Sequence, residues 1–322
     1  MKISARFVAL FVCGLLVLNA GRVCGQSEAS AAKQQLVWLD TDIGDDIDDA
    51  FALALLLQSP EVKLLGISTA FGDTELRARL VDRYLDAVHR TEIPVTKGVE
   101  TKSSNVFTQE AYAKRQAGRK YADGVAALLG EIRQHPGEIT LIAIGPLGNI
   151  KAAITKDAAT FRKLKRVVIM GGSVYRGYGP MGTPPQVEWN AGQDPAGLKA
   201  LVGVGVPLFV MPLDSTQIAL DGTAQDRIFG DGSALTDQLA TLYHQWKAHN
   251  GWHATGPNLF DPMTVAYILK PELCPMKPMR LEVDEKGMTR PVEGDPNAQV
   301  CVKSDEKGFV ELLEGRLAPA QK

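Results

Sequence analysis

Six aspartates lie within ten residues near the start of the chain, with no lysine or arginine among them. The stretch LVWLDTDIGDDIDDAFALALLL covers 36–57, and its acids are Asp40, Asp42, Asp45, Asp46, Asp48 and Asp49. So many carboxylates between two apolar runs repel one another unless a cation lies among them, and oxygen ligands favour Ca²⁺ or Mg²⁺. The absence of histidine and cysteine from this stretch argues against zinc. The simpler alternative is a solvated acidic loop whose charges favour the N-terminus of the following helix.

Three later segments also carry polar residues at predicted strand ends or helix starts. They are AIGPLGN at 143–149, QVEWNAGQDP at 186–195 and LFDPM at 259–263. Taken singly, each has a structural explanation, because an aspartate followed by proline is a common way for a helix to begin. Glu188 and Asn190, which flank Trp189, would then belong to the loop surface. Taken together, the segments place polar groups where a hydrophobic core would not contain them.

Apolar runs alternate with amphipathic segments from residue 35 onward. Buried strands are predicted at LVWLD, VKLLGIST, ITLIAIG, RVVIMGG and VPLFVMPLD. Helices are predicted at 49–58, 74–89, 121–134, 194–203 and 261–269. The tail predicts a strand in PNAQVCVKSD and a closing helix in GFVELLEGRLA. This pattern indicates an α/β fold, an open and mostly parallel sheet with helices on both faces, whose binding residues gather at the carboxyl ends of the strands.

In this order, the motifs resemble those of the inosine-uridine preferring nucleoside hydrolase family. The matching segments are DTDIGDDIDDA (40–50), IGPLGN (144–149), MGG (170–172), EWNAGQDP (188–195) and FDP (260–262). The resemblance extends over nearly the whole chain after the N-terminal segment. It implies a Rossmann-like fold and cleavage of the N-glycosidic bond of ribonucleosides to free base and ribose, by a Ca²⁺-bound water that an aspartate activates.

The resemblance also implies a role for individual residues. The Ca²⁺ ligands correspond to Asp42, one aspartate of the Asp48/Asp49 pair, the backbone carbonyl of Ile144, and Asp261. We assign Asp49 of that pair to the metal. The general base corresponds to Asp48. GDDIDDA holds two more residues than the usual family motif, so Asp46 is the alternative base. Ribose hydroxyls would be held by Asp73, Glu188 and Asn190.

One position departs from the family pattern at the leaving group. Phe260 precedes Asp261 where many members have a histidine that protonates the departing base. His249 and His253, in or near the predicted irregular segment 249–258, are candidates to contact the departing base and to protonate it in place of that histidine. Trp246 and Trp252 could stack on the base. Tyr175 and Tyr178, near the Gly- and Pro-rich loop 176–186, are weaker candidates.

The N-terminus predicts export. Lys2 and Arg6 precede a short apolar run at 7–18, so residues 1–25 are expected to be a cleaved signal peptide and 26–322 a single catalytic domain in the periplasm or outside the cell. An uncleaved membrane anchor is the alternative. In an exported chain, Cys274 and Cys301 could form a disulfide or remain two buried thiols.

The net charge of −2 argues against nucleic acid or an anionic membrane as partner. The family resemblance implies a small nucleoside as the ligand and suggests a homodimer or homotetramer. Two other functions fit parts of the pattern. Asp40-Thr41-Asp42 is similar to the motif of aspartyl phosphatases, but Gly44 departs from that motif. An exported protein that binds a ribosyl compound or a sugar without cleaving it would also use these residues.

Overall fold

Ten strands form one sheet in the computed structural model, which describes residues 33–250 and 256–319. The sheet order is β4-β3-β2-β1-β5-β6-β7-β10-β8-β9. Neighbours from β4 to β10 are parallel, and β8 pairs antiparallel with both β10 and β9. The strands are β1 (Gln35–Thr41), β2 (Val62–Thr69), β3 (Val95–Lys97), β4 (Ala122–Asp123), β5 (Ile139–Ala143), β6 (Arg166–Met170), β7 (Leu208–Met211), β8 (Met276–Val283), β9 (Thr289–Val292) and β10 (Ala298–Cys301). The predicted open, mostly parallel α/β sheet is confirmed.

Helices cover both faces of the sheet. They are α1 (Asp48–Leu57), α2 (Thr74–Ala87), α3 (Glu110–Ala113), α4 (Gly124–Gln134), α5 (Gly148–Phe161), α6 (Trp189–Gln193), α7 (Pro195–Gly203), α8 (Leu213–Thr216), α9 (Gly222–Phe229), α10 (Ala234–His249), α11 (Pro262–Leu269) and α12 (Glu306–Leu317), with a 3₁₀ turn at Pro271–Leu273. Two hydrophobic cores form because successive side chains of a strand point to opposite faces of the sheet. In β1, Val37 and Leu39 pack in one core and Trp38 packs in the other. Strands buried on both faces contain continuous apolar runs, which is why the sequence predicted them well.

Two regions differ from the sequence-based expectation. Residues 121–134 were expected to be one helix, but Ala122 and Asp123 form the edge strand β4, and α4 begins only at Gly124. Asp123 causes this late start, because its side chain caps α4 by accepting from Ala126 N at 2.8 Å. The second difference concerns His249, which ends the regular helix α10 instead of lying in an irregular segment.

A disulfide joins Cys274 to Cys301, with the two Cα atoms 5.6 Å apart. It ties the residue after the 3₁₀ turn to the end of β10 and closes a segment of 27 residues that contains β8 and β9. Both cysteines are fully buried in the same hydrophobic cluster as α1 and α11. Of the two alternatives for these cysteines, the structure has the bridge.

The parallel strands bring the predicted site segments to one edge. Strands β1, β5 and β6 are consecutive in the sheet and end at Thr41, Ala143 and Met170. The segments that follow them carry the aspartates, Ile144 and Glu188, so these residues meet beyond the carboxyl ends of the strands. The predicted signal peptide at 1–25 lies outside the described residues. Within those residues, no helix has the length and apolarity needed to cross a membrane.

Candidate active site

The aspartate-rich loop between β1 and α1 is held by a buried arginine that the sequence analysis did not identify. Arg77 of α2 donates from Nη1 to the carbonyl oxygens of Asp42 and Ile43, the latter at 3.0 Å, and from Nη2 to Asp45 Oδ2 at 3.0 Å. Its Nε donates to Phe71 O at 2.8 Å, so the guanidinium bridges the loops after β1 and β2. The only sequence signal for this role was an arginine on the apolar face of a predicted helix.

Gly44 allows the sharp bend of this loop. Its φ is +130°, and a Cβ there would lie 2.3 Å from the Phe107 ring. Only glycine adopts such a conformation without a steric penalty. The bend is held on its outer side by Thr108, whose hydroxyl donates to Asp45 O at 2.8 Å, and by Gln109, whose side chain donates to Asp46 O at 2.7 Å. The loop therefore has a defined shape before any ligand binds.

Three carboxylates meet at the bottom of the site. Oxygen atoms of Asp48, Asp49 and Asp261 lie within 4.8 Å of one another, and all three residues are buried. The backbone N–H of Asp261 donates to Asp48 Oδ2 at 3.3 Å, and the Thr41 hydroxyl donates to Asp49. Asp261 directly precedes α11, yet its side chain does not cap the helix, and its carboxylate lies in the cluster instead. The structural explanation for Asp261-Pro262, a simple helix cap, is therefore insufficient.

Asp42 approaches the same region from the end of β1. A Cβ at position 145 would lie 2.7 Å from Asp42 Oδ1, so Gly145 leaves the space that this carboxylate occupies beside Ile144. Asp46 is different, because it is exposed at the rim of the site. Its carboxylate accepts from Ile47 N at 2.7 Å and from the Trp246 side chain. This geometry puts Asp48, rather than Asp46, beside Asp49 and Asp261.

Electrostatic repulsion in this cluster is large. Burial, followed by the charges of the neighbouring carboxylates, raises the pKa of Asp48, Asp49 and Asp261 well above the usual value. Burial also raises the pKa of Asp42 to about 7, against the opposing effect of the Arg77 charge. A divalent cation would relieve this repulsion, and the donor set consists of oxygen alone. The residues therefore fit a hard divalent cation.

Asn190 and Glu188 form the opposite wall. The Asn190 Nδ2 donates to the carbonyl oxygens of Ile144 and Met170 at 3.1 and 3.2 Å, and its buried Oδ1 has no partner among the described residues. Glu188 accepts from the backbone N–H of Gly172, Asn190 and Ala191 at 2.8–3.0 Å. Burial raises the pKa of Glu188, and these three donors oppose that effect. A buried acceptor without a partner costs free energy, so Asn190 Oδ1 is a ready contact for a ligand hydroxyl.

These groups line one cavity of about 430 Å³. Of the site residues predicted from sequence, it contains Asp42, Asp46, Asp48, Asp49, Ile144, Glu188, Asn190, His249 and Asp261. His249 lies at its mouth, where Nδ1 and Gln245 O are 2.9 Å apart. A larger cavity of about 1040 Å³ lies beside α7 and β8 and contains none of these residues.

Two predicted contacts lie elsewhere. Asp73 does not line the cavity, because it caps α2 by accepting from Leu76 N at 2.9 Å and faces a separate groove with Thr101. His253 lies outside the described residues, as does Trp252. Tyr178, one of the weaker candidates, does line the cavity, with its hydroxyl accepting from Trp189 N at 2.9 Å and its ring centroid 6.1 Å from that of Phe260.

Comparison with known proteins identifies relatives for the whole described fold. The family model of the inosine-uridine preferring nucleoside hydrolases matches residues 37–311. The pyrimidine-specific ribonucleoside hydrolase RihA of Citrobacter koseri is 29% identical over 310 residues, which cover 88% of this chain and 97% of that protein.

Solved structures share the fold. A plant nucleoside hydrolase, PpNRh1, superposes with a TM-score of 0.78 at 24% identity, over 88% of this chain and 99% of its own. A purine-preferring ribonucleoside hydrolase from Gardnerella vaginalis has a TM-score of 0.76 at 23% identity, over 88% and 98% of the two chains.

Proposed function

Because the chain belongs to the inosine-uridine preferring nucleoside hydrolase family, it is a nucleoside N-ribohydrolase, and we propose that it acts with a calcium ion bound in the aspartate cavity. The proposed ligands are Asp42, Asp49, Asp261 and the carbonyl oxygen of Ile144. One observation carries the proposal: the buried carboxylates of Asp48, Asp49 and Asp261 lie within 4.8 Å of one another. The cavity that they line, together with Asp42, also contains an amide oxygen that has no partner among the described residues.

Calcium is preferred over magnesium on chemical grounds. Ca²⁺ accepts six to eight oxygen ligands in irregular geometry, including backbone carbonyls, whereas Mg²⁺ requires near-octahedral geometry and retains several waters. The donor set here combines carboxylates from two distant parts of the chain with a loop carbonyl. Such a set suits the larger and more flexible coordination sphere.

The chain's own residues account for most of the reaction. Asp48 is the proposed general base, which takes a proton from the water that attacks C1′ of the ribose. Positioned proton transfer of this kind typically contributes about 10²–10⁴ in rate. Asn190 Oδ1 would accept a hydrogen bond from a ribose hydroxyl, and the acidic walls would stabilise the positive charge that develops on the ribosyl ring. When bound, the divalent ion would lower the pKa of water and help to orient the sugar.

The activity is tested by measuring free ribose after incubation with uridine, cytidine, inosine and guanosine in Ca²⁺. Both base classes are needed, because the relative from Citrobacter koseri is named as pyrimidine-specific and that from Gardnerella vaginalis as purine-preferring. Release of ribose from at least one nucleoside supports the proposal. Nucleoside binding without ribose release would instead indicate the non-catalytic alternative.

Substitutions separate the proposed roles. Asp42→Ala and Asp261→Ala should each abolish calcium binding and turnover, whereas Asp48→Asn should retain calcium and lose turnover. Asp46→Asn is the matched control, and a greater loss in this variant than in Asp48→Asn would identify Asp46 as the base. Full turnover in both ligand variants would contradict the proposed metal site.

Export and assembly are further parts of the proposal. The buried disulfide is of the kind that persists in oxidising compartments and supports an exported protein. Mass spectrometry of the mature N-terminus would test cleavage after residue 25, and light scattering would test the proposed homodimer or homotetramer. An intact N-terminus in the cytoplasmic fraction would contradict export.

A further inference from the structure

A second chamber of about 540 Å³ adjoins the catalytic cavity. The two share five lining residues, Asp46, Tyr178, Trp246, Asn250 and Phe260. The shared wall is thus mostly aromatic, which suits a flat heterocycle. The chamber adds one cation, Arg176, and two amide side chains, those of Gln217 and Asn258. It is therefore continuous with the site of bond cleavage but differs from it in charge.

Hydrogen bonds on both sides hold the backbone around Arg176 in place. The Asp214 carboxylate accepts from the backbone N–H of Val174 and Tyr175 at 2.9 and 2.8 Å, and the Ser173 hydroxyl donates to Arg176 O at 2.8 Å. On the other side, the Gln217 side chain accepts from Gly179 N at 2.9 Å and donates to Gly177 O at 3.0 Å. The loop thus presents Arg176 to the chamber from a fixed backbone.

The charge of Arg176 is not neutralised by an ion pair within the described residues. Its Nη2 donates to Gly179 O at 2.9 Å, and its buried Nε has no partner in the part of the chain that the structure describes. Guanidinium groups remain charged at all physiological pH values and bind anionic groups strongly. A fixed positive charge beside a cavity with many carboxylates is therefore available to an anionic part of a ligand.

Hydrolysis of a nucleoside creates such an anionic group on the departing base. When the N-glycosidic bond breaks, its electron pair moves to the nitrogen of the departing base. Phe260 cannot donate a proton to that base. We propose, on the basis of the function proposed above, that the chamber receives the departing base and that Arg176 stabilises its developing negative charge in place of a proton donor.

The oxygen of water bonds to C1′ as the bond from C1′ to the base nitrogen breaks, and Asp48 takes the proton of that water. The base leaves as an anion paired with Arg176, which keeps all its protons. The base then takes a proton from solvent, and Asp48 releases one, so the products are ribose and neutral base. No oxidant or reductant is involved.

The test compares two kinds of substrate in the purified protein with Ca²⁺. One is the nucleoside that the wild type cleaves fastest, and the other is p-nitrophenyl β-D-ribofuranoside, whose nitrophenolate leaves as a stabilised anion without help. Arg176→Gln should lower kcat/KM by about 10²–10³ on the nucleoside, the effect typical of losing one transition-state charge contact. The loss on the nitrophenyl riboside should be less than about tenfold. Arg176→Lys, which keeps the charge, should recover at least part of the loss on the nucleoside.

Controls separate this role from a structural one. Arg227→Gln, which removes a surface ion pair with Glu314, should leave both activities unchanged. Urea denaturation and calcium titration of Arg176→Gln should match the wild type, because within 33–250 and 256–319 the side chain makes a single hydrogen bond, to its own loop.

Three results would overturn the inference: equal losses on both substrates, no loss on either, or a nucleoside-selective loss in His249→Ala instead of Arg176→Gln. A wild type that releases ribose from no N-riboside would instead refute the proposed function, and the role of Arg176 with it.

Discussion

Removal of divalent cations is expected to make the stability of the protein fall as pH rises. The perturbation is a chelator, and the responsible groups are the buried carboxylates of the active-site cavity. For Asp42, burial raises the pKa from 3.8 to about 7 in the metal-free fold. The folded state thus binds this proton more tightly than the unfolded chain does. The associated stability is fully present below pH 3.8 and is lost as pH rises through about 7.

The size of the effect follows from linkage. Each pKa unit corresponds to 1.36 kcal/mol, so Asp42 alone would lower the free energy of unfolding by about 4 kcal/mol across its whole window. Between about pH 5 and pH 8, where measurements are practical, its share is about 2 to 3 kcal/mol. Asp48, Asp49 and Asp261 act in the same direction, because their pKa values are also raised. A bound cation replaces the proton and should remove most of this dependence.

The assay is urea denaturation at several pH values from about 5 to 8, with chelator or with excess calcium. The metal-free protein should lose stability over this range, and the calcium-loaded protein should change little, so the stabilisation by calcium grows with pH. Asp42→Asn, which cannot ionise, should flatten the metal-free profile. A metal-free stability that rises with pH, or identical profiles with and without calcium, would refute the reasoning.

Three further changes have expected outcomes. Replacing Cys274 and Cys301 together with alanine should lower the free energy of unfolding by about 3.5 kcal/mol in denaturation without reductant, because the unfolded chain is no longer closed over 27 residues. No change would mean that the bridge does not constrain the unfolded chain. Arg77→Met should weaken calcium binding about 10- to 100-fold by calorimetry, because the backbone carbonyls of Asp42 and Ile43 lose the hydrogen bonds that hold their loop. Unchanged affinity would show that the loop holds its shape without this arginine. Asn190→Ala should raise KM about tenfold in steady-state kinetics, since a buried acceptor for the sugar is lost; a loss in kcat alone would contradict a role in substrate binding.

The central strands and the aspartate-rich loop could be predicted from the sequence. Strands β1, β2, β5, β6 and β7 are buried along most of their length, so each contains a run of mainly apolar side chains that predicts a buried strand. The hairpin of β8 and β9 was missed, because β8 is largely exposed along its first half and includes Pro278. A half-exposed strand carries a weak periodic signal.

The sequence by itself determined which residue types were available: a run of aspartates after the first strand, a distant Asp261, and the glycines that permit close approach. Only the tertiary structure decided which of them meet. It brought Asp261 to hydrogen-bonding distance of Asp48 across 213 residues, left Asp73 as a helix cap, and placed Arg77 under the loop and Arg176 beside the pocket. Local sequence spacing sets the backbone preference of each segment, whereas the order of the strands decides which charged side chains meet. Their burial, which is also a tertiary property, decides how strongly these charges interact.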